Sequence, residues 1–451
     1  MKQQEILDRV AARLGIEKLN VMQQQVLDQS SSHPGDLIIY SPTGTGKTLA
    51  YLIPLLKSIK NFDQERLQAI IVVPSRELAN QIFGIVGQLA TGLKATCVYG
   101  GHSVGDEKQS LAIEPSIIVA TPGRLLDHAQ RGHVSLRNVR QLVIDEFDKC
   151  LELGFEQEME RLCRLMPNLS RRILTSATVL SEIPSYVRIH VPLECNFLEA
   201  RQEVESRMKV WEARSNEKDK LDALRQLLLS LPPGKAIVFA NYRESVDRIY
   251  HYLAHNRISS GIYHGGLEQI DREKAITMFN NGSFLVLVTT DLGSRGLDID
   301  AVEHIIHYHL PLSSDAYTHR NGRTARVNAT GNIYILLSQG ESLPGYIQVD
   351  HRYEPRPGAQ TMIAPMATLH FSAGRKEKIS KGDLLGFLAS HGGILGSEIG
   401  KINVHDHYSL VAVPASKASE ILQAISPHKL KGKRVRVTQA FPTGRLSKSH
   451  S

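Results

Sequence analysis

Residues 37–60 read Leu-Ile-Ile-Tyr, then Ser-Pro-Thr-Gly-Thr-Gly-Lys-Thr at 41–48, then Leu-Ala-Tyr-Leu-Ile-Pro-Leu-Leu-Lys-Ser-Ile-Lys. The first four residues predict a buried strand and the last twelve a helix, so a glycine-rich loop joins strand to helix. This arrangement is typical of the first unit of an α/β domain built on a parallel sheet.

The loop carries the residue types that hold phosphate groups. Gly44 and Gly46 would let the backbone approach a phosphate, which loop N–H groups and the helix N-terminus then bind. Lys47 would neutralise phosphate charge, and Thr48 would supply a Mg²⁺ ligand. Ser41 stands where such loops usually begin with glycine.

A second part of the same site is predicted about a hundred residues further on. The apolar run Gln-Leu-Val-Ile ends in Asp145 and Glu146, at the carboxyl end of a predicted strand. Given the loop upstream, we assign Asp145 to the metal, through water, and Glu146 to the attacking water.

The apolar runs divide the chain into two parallel-sheet domains and a smaller unit. Runs of buried-strand type recur over residues 37–190 and again from residue 235. After residue 366 the pattern becomes β-α-β-β-α-β, which suits a ferredoxin-like module of the kind used by RNA recognition motifs (RRMs). The predicted segments are a first domain at 1–200, a linker at 201–220, a second domain at 221–345, a connector at 346–366, an RRM-like unit at 367–441 and a tail at 442–451.

Composition excludes several classes of protein. The hydrophobic fraction of 42% and the charged fraction of 22% are those of a globular chain, not of a disordered or fibrous one. The longest apolar runs are far below the roughly 20 residues that cross a bilayer, and no secretory signal is visible at the start. The four cysteines lack metal-site spacing. We expect a cytoplasmic monomer without membrane contact.

The basic charge is concentrated at the end of the chain. Residues 366–451 contain 13 Lys and Arg and 5 Asp and Glu, a net charge of +8, which leaves −1 for residues 1–365. Such a segment attracts a polyanion through phosphate contacts, and a solvated basic face is the alternative.

The second domain has no phosphate loop but contains His-Arg-Asn-Gly-Arg-Thr-Ala-Arg at 319–326. With a single phosphate loop in the first domain, this segment suggests that Arg323 and Arg326 reach the γ-phosphate when the two domains close.

Taken in order, these motifs resemble those of the DEAD-box family of RNA helicases over most of residues 15–340. The resemblance implies two tandem RecA-like α/β domains followed by the small α+β RRM-like domain, with ATP and Mg²⁺ as cofactors and RNA as partner. It implies an ATP site formed by Gln23, Thr43, Gly44, Thr45, Gly46, Lys47, Thr48 and Asp298. It implies RNA contacts by Pro74, Ser75, Arg76, Gly101, Thr121, Gly123, Arg124, Gln269, Arg272, Thr290, Arg295 and Gly296, and coupling of ATP to RNA by Ser176 and Thr178.

The chain departs from the family pattern at a few positions. Leu19-Asn20 replaces Pro-Thr before the adenine-reading Gln23, and Ile6 occupies the position of an upstream aromatic that stacks on adenine. Phe147 replaces a small alanine after the acidic pair, which implies a pocket shaped for the ring. Asn321 replaces an aliphatic residue.

Residues 368–440 resemble the RNA-binding domain of DbpA-type helicases, and Arg375, Lys376 and Lys401 are candidate RNA contacts within it. The resemblance implies docking on large-subunit ribosomal RNA and local unwinding of a neighbouring duplex during subunit assembly. Two other interpretations stay open: a DNA translocase of the same superfamily, and an RNA clamp with little unwinding.

Overall fold

The computed structural model describes residues 2–33, 35–42, 44–59, 67–90, 92–101, 104–180, 182–198, 207–291, 299, 302–324, 330–354 and 363–441. The chain divides into two compact units, and the second begins at Arg207. Within the described ranges, no helix combines the length and the apolar composition needed to cross a membrane.

The first unit is built on a seven-stranded parallel sheet in the order β3-β4-β2-β5-β6-β1-β7. The strands are β1 Leu37–Tyr40, β2 Ala69–Val72, β3 Ala95–Val98, β4 Ile117–Ala120, β5 Gln141–Ile144, β6 Arg171–Ser176 and β7 Leu193–Asn196. The helices are α1 Gln3–Leu14, α2 Val21–Ser32, α3 Lys47–Ser58, α4 Arg76–Leu89, α5 Val104–Ala112, α6 Pro122–Gln130, α7 Phe147–Glu152 and α8 Glu156–Leu165.

Alternate side chains of each central strand enter separate apolar cores on the two faces of the sheet. Ile39 and Ile71 belong to one core, whereas Ile38 and Ile70 belong to the other. Strands buried on both faces are continuously apolar, which explains why β1, β2, β4, β5 and β6 are predictable from sequence. All carboxyl ends lie at one edge of the sheet, where the phosphate loop and Asp145 follow their strands.

The second unit contains a parallel seven-stranded sheet in the order β10-β11-β9-β12-β13-β8-β14. Its strands are β8 Met208–Arg214, β9 Ala236–Phe239, β10 Ser260–Tyr263, β11 Val286–Thr289, β12 His304–His307, β13 Gly331–Leu337 and β14 His351–Arg352. Its helices are α9 Leu221–Ser230, α10 Arg243–His255, α11 Gln269–Asn280 and α12 Ser314–Asn321.

Part of the predicted linker and part of the predicted connector belong to this sheet. Within the linker range 201–220, residues 208–214 form β8, which pairs with β13 over seven residues. The linker prediction is wrong there: Val210 and Trp211 supply apolar surface between charged neighbours, and the ladder to β13 satisfies the backbone polar groups. Similarly, β14 lies within the connector range 346–366.

The second unit also contains the small C-terminal domain, an antiparallel four-stranded sheet in the order β16-β17-β15-β18. Its elements are β15 Met366–Phe371, α13 Lys381–His391, β16 Ile402–Val404, β17 Ser409–Pro414, α14 Ala418–Ile425 and β18 Val437–Gln439. The predicted β-α-β-β-α-β order is confirmed. Leu369, Phe371, Val411 and Val413 pack against both helices on one face of the sheet.

Candidate active site

The phosphate loop lies between β1 and α3, as predicted, and Lys47 is buried at the first position of the helix. Its Nζ donates a hydrogen bond to the carbonyl oxygen of Ser41, 2.6 Å away. Burial lowers the pKa of Lys47, and the negative charges of Asp145, Glu146 and Asp148 oppose that shift. The cation is therefore held beside an acidic cluster, at the end of the loop where phosphate oxygens would bind.

Gln23 and Asn20 hold the loop in place from α2. The Nε2 of Gln23 donates to the carbonyl of Gly46 at 3.1 Å, and the Nδ2 of Asn20 donates to the carbonyl of Thr45 at 2.8 Å. Gly46 has φ +87°, and a Cβ there would lie 2.4 Å from the Gln23 amide. Only glycine fits at position 46, and the side chain of Gln23 can occupy its place only because Gly46 has no side chain.

Asn20, which departs from the family pattern, caps helix α2. Its side chain accepts from the Gln23 backbone at 2.9 Å, while the Gln23 side chain accepts from the Asn20 backbone at 3.0 Å, which makes a capping box. Ile6, by contrast, is fully buried in the core of the first domain. It is a packing residue of this core, and its assignment to the position of the stacking aromatic stays a prediction.

Asp145 directly follows β5 and is held by two hydroxyl groups. Tyr51 donates to its Oδ2 at 3.0 Å, and Thr175 donates to its Oδ1. The Tyr51 hydroxyl is also hydrogen-bonded to Thr48, so the two proposed Mg²⁺ ligands adjoin one common oxygen atom. A carboxylate and a hydroxyl this close are hard oxygen donors that fit Mg²⁺.

Glu146 occupies the turn that leads from β5 into α7, with φ +51° and ψ +52°. A left-handed conformation is uncommon for a residue other than glycine and is often found at functional positions. Its N–H donates to Asp145 Oδ1 at 3.0 Å and to Thr175 Oγ1 at 3.1 Å. The side chain is only partly buried and carries the second carboxylate of the site.

The predicted coupling residues lie next to this acidic turn. The hydroxyl of Ser176 donates to the carbonyl of Thr178 at 2.6 Å and accepts from the Thr178 N–H at 3.1 Å. The Thr178 hydroxyl is 3.5 Å from a carboxylate oxygen of Asp148. Burial raises the pKa of Asp148. Phe147, between the acidic residues, is fully buried in one of the two apolar cores.

The predicted RNA contacts of the first domain follow three neighbouring strands. Pro74 and Ser75 come after β2, Gly101 after β3 and Thr121 after β4, so they share the carboxyl edge of the sheet. Ser75 caps α4, accepting from the N–H of Leu78 at 3.2 Å.

Arg76 contacts the glycine pair that follows β3. A Cβ on Gly101, whose φ is +100°, would lie 2.5 Å from a guanidinium nitrogen of Arg76. A side chain at this position would collide with Arg76, so the glycine allows the guanidinium to lie against the backbone.

Glu107 is a central residue of this region that the sequence did not reveal. One of its carboxylate oxygens accepts from the N–H of Tyr99 at 3.0 Å, and the other lies 3.1 Å from Arg124 and 2.8 Å from His128. It therefore connects the glycine pair to the predicted RNA contacts Gly123 and Arg124 at the start of α6. From its sequence α5 looks like an exposed helix, so nothing in the sequence marked Glu107 as a residue of the site.

In the second domain, Gln269 and Arg272 lie on α11 after β10, and Thr290 follows β11. These two strands are neighbours in the sheet. Arg323 is buried and follows the C-cap of α12, Gly322. The predicted residues Thr43, Arg295, Gly296, Asp298 and Arg326 lie outside the described residues.

Arg320, which was not predicted as a site residue, is almost wholly buried beside these positions. Its guanidinium donates to Asp291 Oδ2, to Asn241 Oδ1 and to the carbonyl of His309, each at 2.7 Å. A buried cation with this many acceptors fixes the start of the Arg323 segment relative to β11 and β12.

Asn321, which also departs from the family pattern, forms a hydrogen bond with a residue of β12. His307 donates from Nε2 to Asn321 Oδ1 at 2.9 Å, and its Nδ1 lies 3.3 Å from Arg320. An aliphatic residue at 321 would leave the buried imidazole N–H without this acceptor. Asn321 is therefore matched to His307.

The candidate RNA residues of the C-terminal domain are exposed. The side chain of Arg375 is 70% exposed and lies 3.8 Å from Asp406, and Lys376 and Lys401 are also exposed. Lys431 differs, because its Nζ lies 2.8 Å from Asp383 and holds a loop against the start of α13.

Comparison with known proteins agrees with this geometry. Family models match for the DEAD/DEAH box helicase at residues 20–184, the helicase conserved C-terminal domain at 219–328 and the DbpA RNA binding domain at 368–439. The ATP-dependent RNA helicase DbpA of Escherichia coli is 34% identical over 89% of this chain and 90% of its own. The chain belongs to the DEAD/DEAH box helicase family. It is therefore an enzyme, an ATP-dependent RNA helicase.

Two further comparisons support the DEAD-box assignment. The DbpA of Bacillus subtilis is 28% identical over 96% of this chain and 97% of its own. The structure of S. cerevisiae Dbp5 bound to RNA and ADP BeF3 has a TM-score of 0.66 and 27% identity, and the match covers 74% of this chain and 87% of that one. The expected RecA-like fold is confirmed.

Proposed function

We propose that this DEAD-box helicase hydrolyses ATP with Mg²⁺ when it binds RNA, and locally unwinds or remodels large-subunit ribosomal RNA during assembly of that subunit. We further propose that it acts as a cytoplasmic monomer. The observation that carries the ribosomal target is the C-terminal domain, which matches the DbpA RNA binding domain and contains the basic excess of the chain.

A few residues share the work of binding and hydrolysing ATP. Lys47 neutralises the β- and γ-phosphates, and Thr48 and Asp145 are suited to hold the metal ion, which would neutralise developing charge on the phosphates. Glu146, on its strained turn, orients the attacking water. Arg323 and Arg326 would reach the γ-phosphate when the two RecA-like domains close, and Asp298 would contact the nucleotide.

For RNA, the proposed contacts hold the backbone and do not read bases. In the first domain they are Pro74, Ser75, Arg76, Gly101, Thr121, Gly123 and Arg124, and in the second Gln269, Arg272, Thr290, Arg295 and Gly296. Backbone N–H groups, hydroxyls and arginines bind phosphates regardless of sequence, so preference for a target must arise elsewhere in the chain. We assign it to the C-terminal domain.

Neutralising the exposed basic residues of that domain tests this assignment. Replacing Arg375, Lys376 and Lys401 by Gln should abolish the preference for a large-subunit ribosomal RNA transcript over an unrelated RNA of equal length. The slope of log affinity against log salt should become shallower by about 0.7–0.9 for each phosphate group that the variant no longer binds.

The matched control replaces three exposed basic residues of the second RecA-like domain, Lys209, Lys218 and Arg257. It removes the same charge and should leave the preference intact. Equal loss of preference in both triple variants would show that only net charge matters and would remove the proposed docking role.

A further inference from the structure

The C-terminal sheet has a second face, opposite its helices, and that face is covered. Leu410 and Ala412 of β17 and Thr368 of β15 have no exposed surface, although none of them belongs to the core formed with α13 and α14. Side chains alternate between the two faces of a strand, so these residues must pack against something else. Thr368 contacts Asn281 and Ser283 of the second RecA-like domain, and strand β17 contacts α11 of that domain.

Two hydrogen bonds fix one side of this contact. The Nδ2 of Asn281 donates to the Thr368 hydroxyl at 2.9 Å, and the hydroxyls of Ser283 and Thr368 are 2.7 Å apart. Asn281 and Ser283 form the turn after α11. A buried hydroxyl without a partner is unfavourable, so these bonds specify the contact as well as stabilise it.

Aromatic rings form the other side. The rings of His405 and Tyr408 stack with centroids 4.3 Å apart and an interplanar angle of 11°, and His370 stacks on Tyr408 at 5.5 Å. Burial lowers the pKa of His405 to about 4, so its ring is neutral at pH 7. Aromatic residues on this face of an RRM-like sheet are the ones on which RNA bases usually stack.

Here α11 interacts with that stack. Lys274 Nζ lies 5.7 Å from the centroid of the Tyr408 ring, and the Tyr408 hydroxyl donates to Glu273 Oε2 at 3.3 Å. The other oxygen of Glu273 accepts from Gln269 Nε2 at 3.3 Å, one helical turn earlier. The contact therefore reaches a residue assigned to RNA in the proposed function.

We propose that the aromatic face of the C-terminal sheet is a docking surface for α11 of the second RecA-like domain and remains docked while the protein binds RNA. RNA then binds the C-terminal domain through its basic loops and not through base stacking on Tyr408 and His370. Because both docking partners belong to one chain, the domain holds RNA at a fixed position relative to Gln269.

A disulfide between the two sides tests this directly. The hydroxyl oxygens of Ser283 and Thr368 lie 2.7 Å apart, so the sulfur atoms of a Ser283→Cys/Thr368→Cys variant would lie close to each other, as a disulfide requires. The four native cysteines lie in residues 1–206, so a new intramolecular bond at these positions is identifiable by peptide mapping.

Affinity for a large-subunit ribosomal RNA transcript and RNA-stimulated ATP turnover are measured on the full-length double variant, oxidised and then reduced. The single Ser283→Cys variant under the same oxidant is the control. We expect the disulfide to form and the oxidised protein to retain both properties within about twofold.

Failure of the disulfide to form would overturn the docked arrangement. A tenfold or greater loss on oxidation that reductant reverses would show that this face must open for RNA. If the reduced protein itself shows no preference for ribosomal RNA, the proposed function fails, whereas the comparison of oxidised with reduced protein still decides the docking.

A Tyr408→Ala variant provides a second measurement that does not require a disulfide. Loss of a base-stacking ring would weaken RNA binding by about 1–3 kcal/mol for each base, or about 5- to 150-fold. Loss of a docking ring should leave RNA affinity within about threefold and accelerate amide hydrogen exchange in α11. A large loss of affinity with unchanged exchange would overturn the proposal.

Discussion

The phenolic hydroxyl of Tyr51 donates a hydrogen bond to Asp145, 3.0 Å from Oδ2. Burial and the adjacent carboxylate raise the pKa of Tyr51 well above its ordinary value, so the hydroxyl stays protonated and remains a donor. Tyr51 lies one turn after Lys47 on α3, the helix that follows the phosphate loop. Its hydroxyl therefore donates to Asp145, the carboxylate that we assign to the metal.

Replacing Tyr51 by Phe should therefore weaken the site without disturbing the core. The ring is fully buried and the change removes only one oxygen atom. Asp145 keeps its bond from Thr175 but loses one of its two hydroxyl donors. We expect the Mg²⁺ concentration for half-maximal ATP turnover to rise about two- to tenfold, since a hydrogen bond to a charged group contributes about 1.5–3 kcal/mol and is partly replaced by water.

Tyr353→Phe is a matched control, because its hydroxyl donates to Ser230 in the second domain. An unchanged Mg²⁺ requirement in Tyr51→Phe would show that Asp145 does not depend on this bond.

Phe147 should stabilise the first domain without controlling turnover. Because its ring is fully buried, Phe147→Ala should lower the free energy of unfolding by about 3–5 kcal/mol, measured by urea denaturation. Phe155→Ala, at a partly buried position, should cost less. If Phe147→Ala is as stable as the native protein and hydrolyses ATP much faster, the ring restrains coupling and the RNA-clamp interpretation gains support.

His307 should make the second domain sensitive to acid. Burial and the charge of Arg320 lower its folded pKa to about 3, while the unfolded chain binds a proton near the ordinary value of 6.5. The unfolded state therefore binds more protons between these values, and stability falls as the pH drops from about 6.5 towards 3. Between pH 7 and pH 5 this single group should cost about 2 kcal/mol.

Urea denaturation at the two pH values checks this. His307→Gln should remove about 2 kcal/mol of the difference, whereas His255→Gln, at an exposed position, should leave it unchanged. The same pH dependence in His307→Gln as in the native protein would rule out His307 as the group responsible.

The strands that sequence reasoning missed have a common property. β3, β7, β10 and β14 are the edge strands of the two parallel sheets, and β8 is next to an edge. In β3, for example, buried and partly exposed residues alternate, so one face of this strand is covered less than the other. A continuous apolar run marks a strand that is buried on both faces and paired on both sides, so the pattern predicted the centre of each sheet and not its borders.

The residues of the candidate site also fall into those that the sequence identified and those that only the structure revealed. Lys47 and Asp145 could be assigned because their motifs place them in a recognisable loop or directly after a predicted strand, and Gln23 was assigned from the family resemblance. Tyr51 and Thr175 hold Asp145, Glu107 holds Arg124, and Arg320 fixes the start of the Arg323 segment. These contacts join distant segments, for which local sequence carries little signal. Thr175 alone could have been found from strand register, since β5 and β6 pair in parallel with Ile144 opposite Leu174.

We propose that RNA activates the ATP site formed by Lys47, Asp145 and Glu146, and that ribosomal RNA does so best. The most direct test of this proposal is ATP hydrolysis by the full-length chain with a large-subunit ribosomal RNA transcript, an unrelated RNA and a DNA of the same length, with Lys47→Ala and Glu146→Gln as inactive references. Glu146→Gln should still bind ATP, because Lys47, Thr48 and Asp145 remain, but should lose turnover by orders of magnitude. We predict strong stimulation by the ribosomal transcript, weaker stimulation by the unrelated RNA and none by DNA. Equal stimulation by DNA would contradict activation by RNA, and near-normal turnover in Glu146→Gln would contradict the proposed role of Glu146.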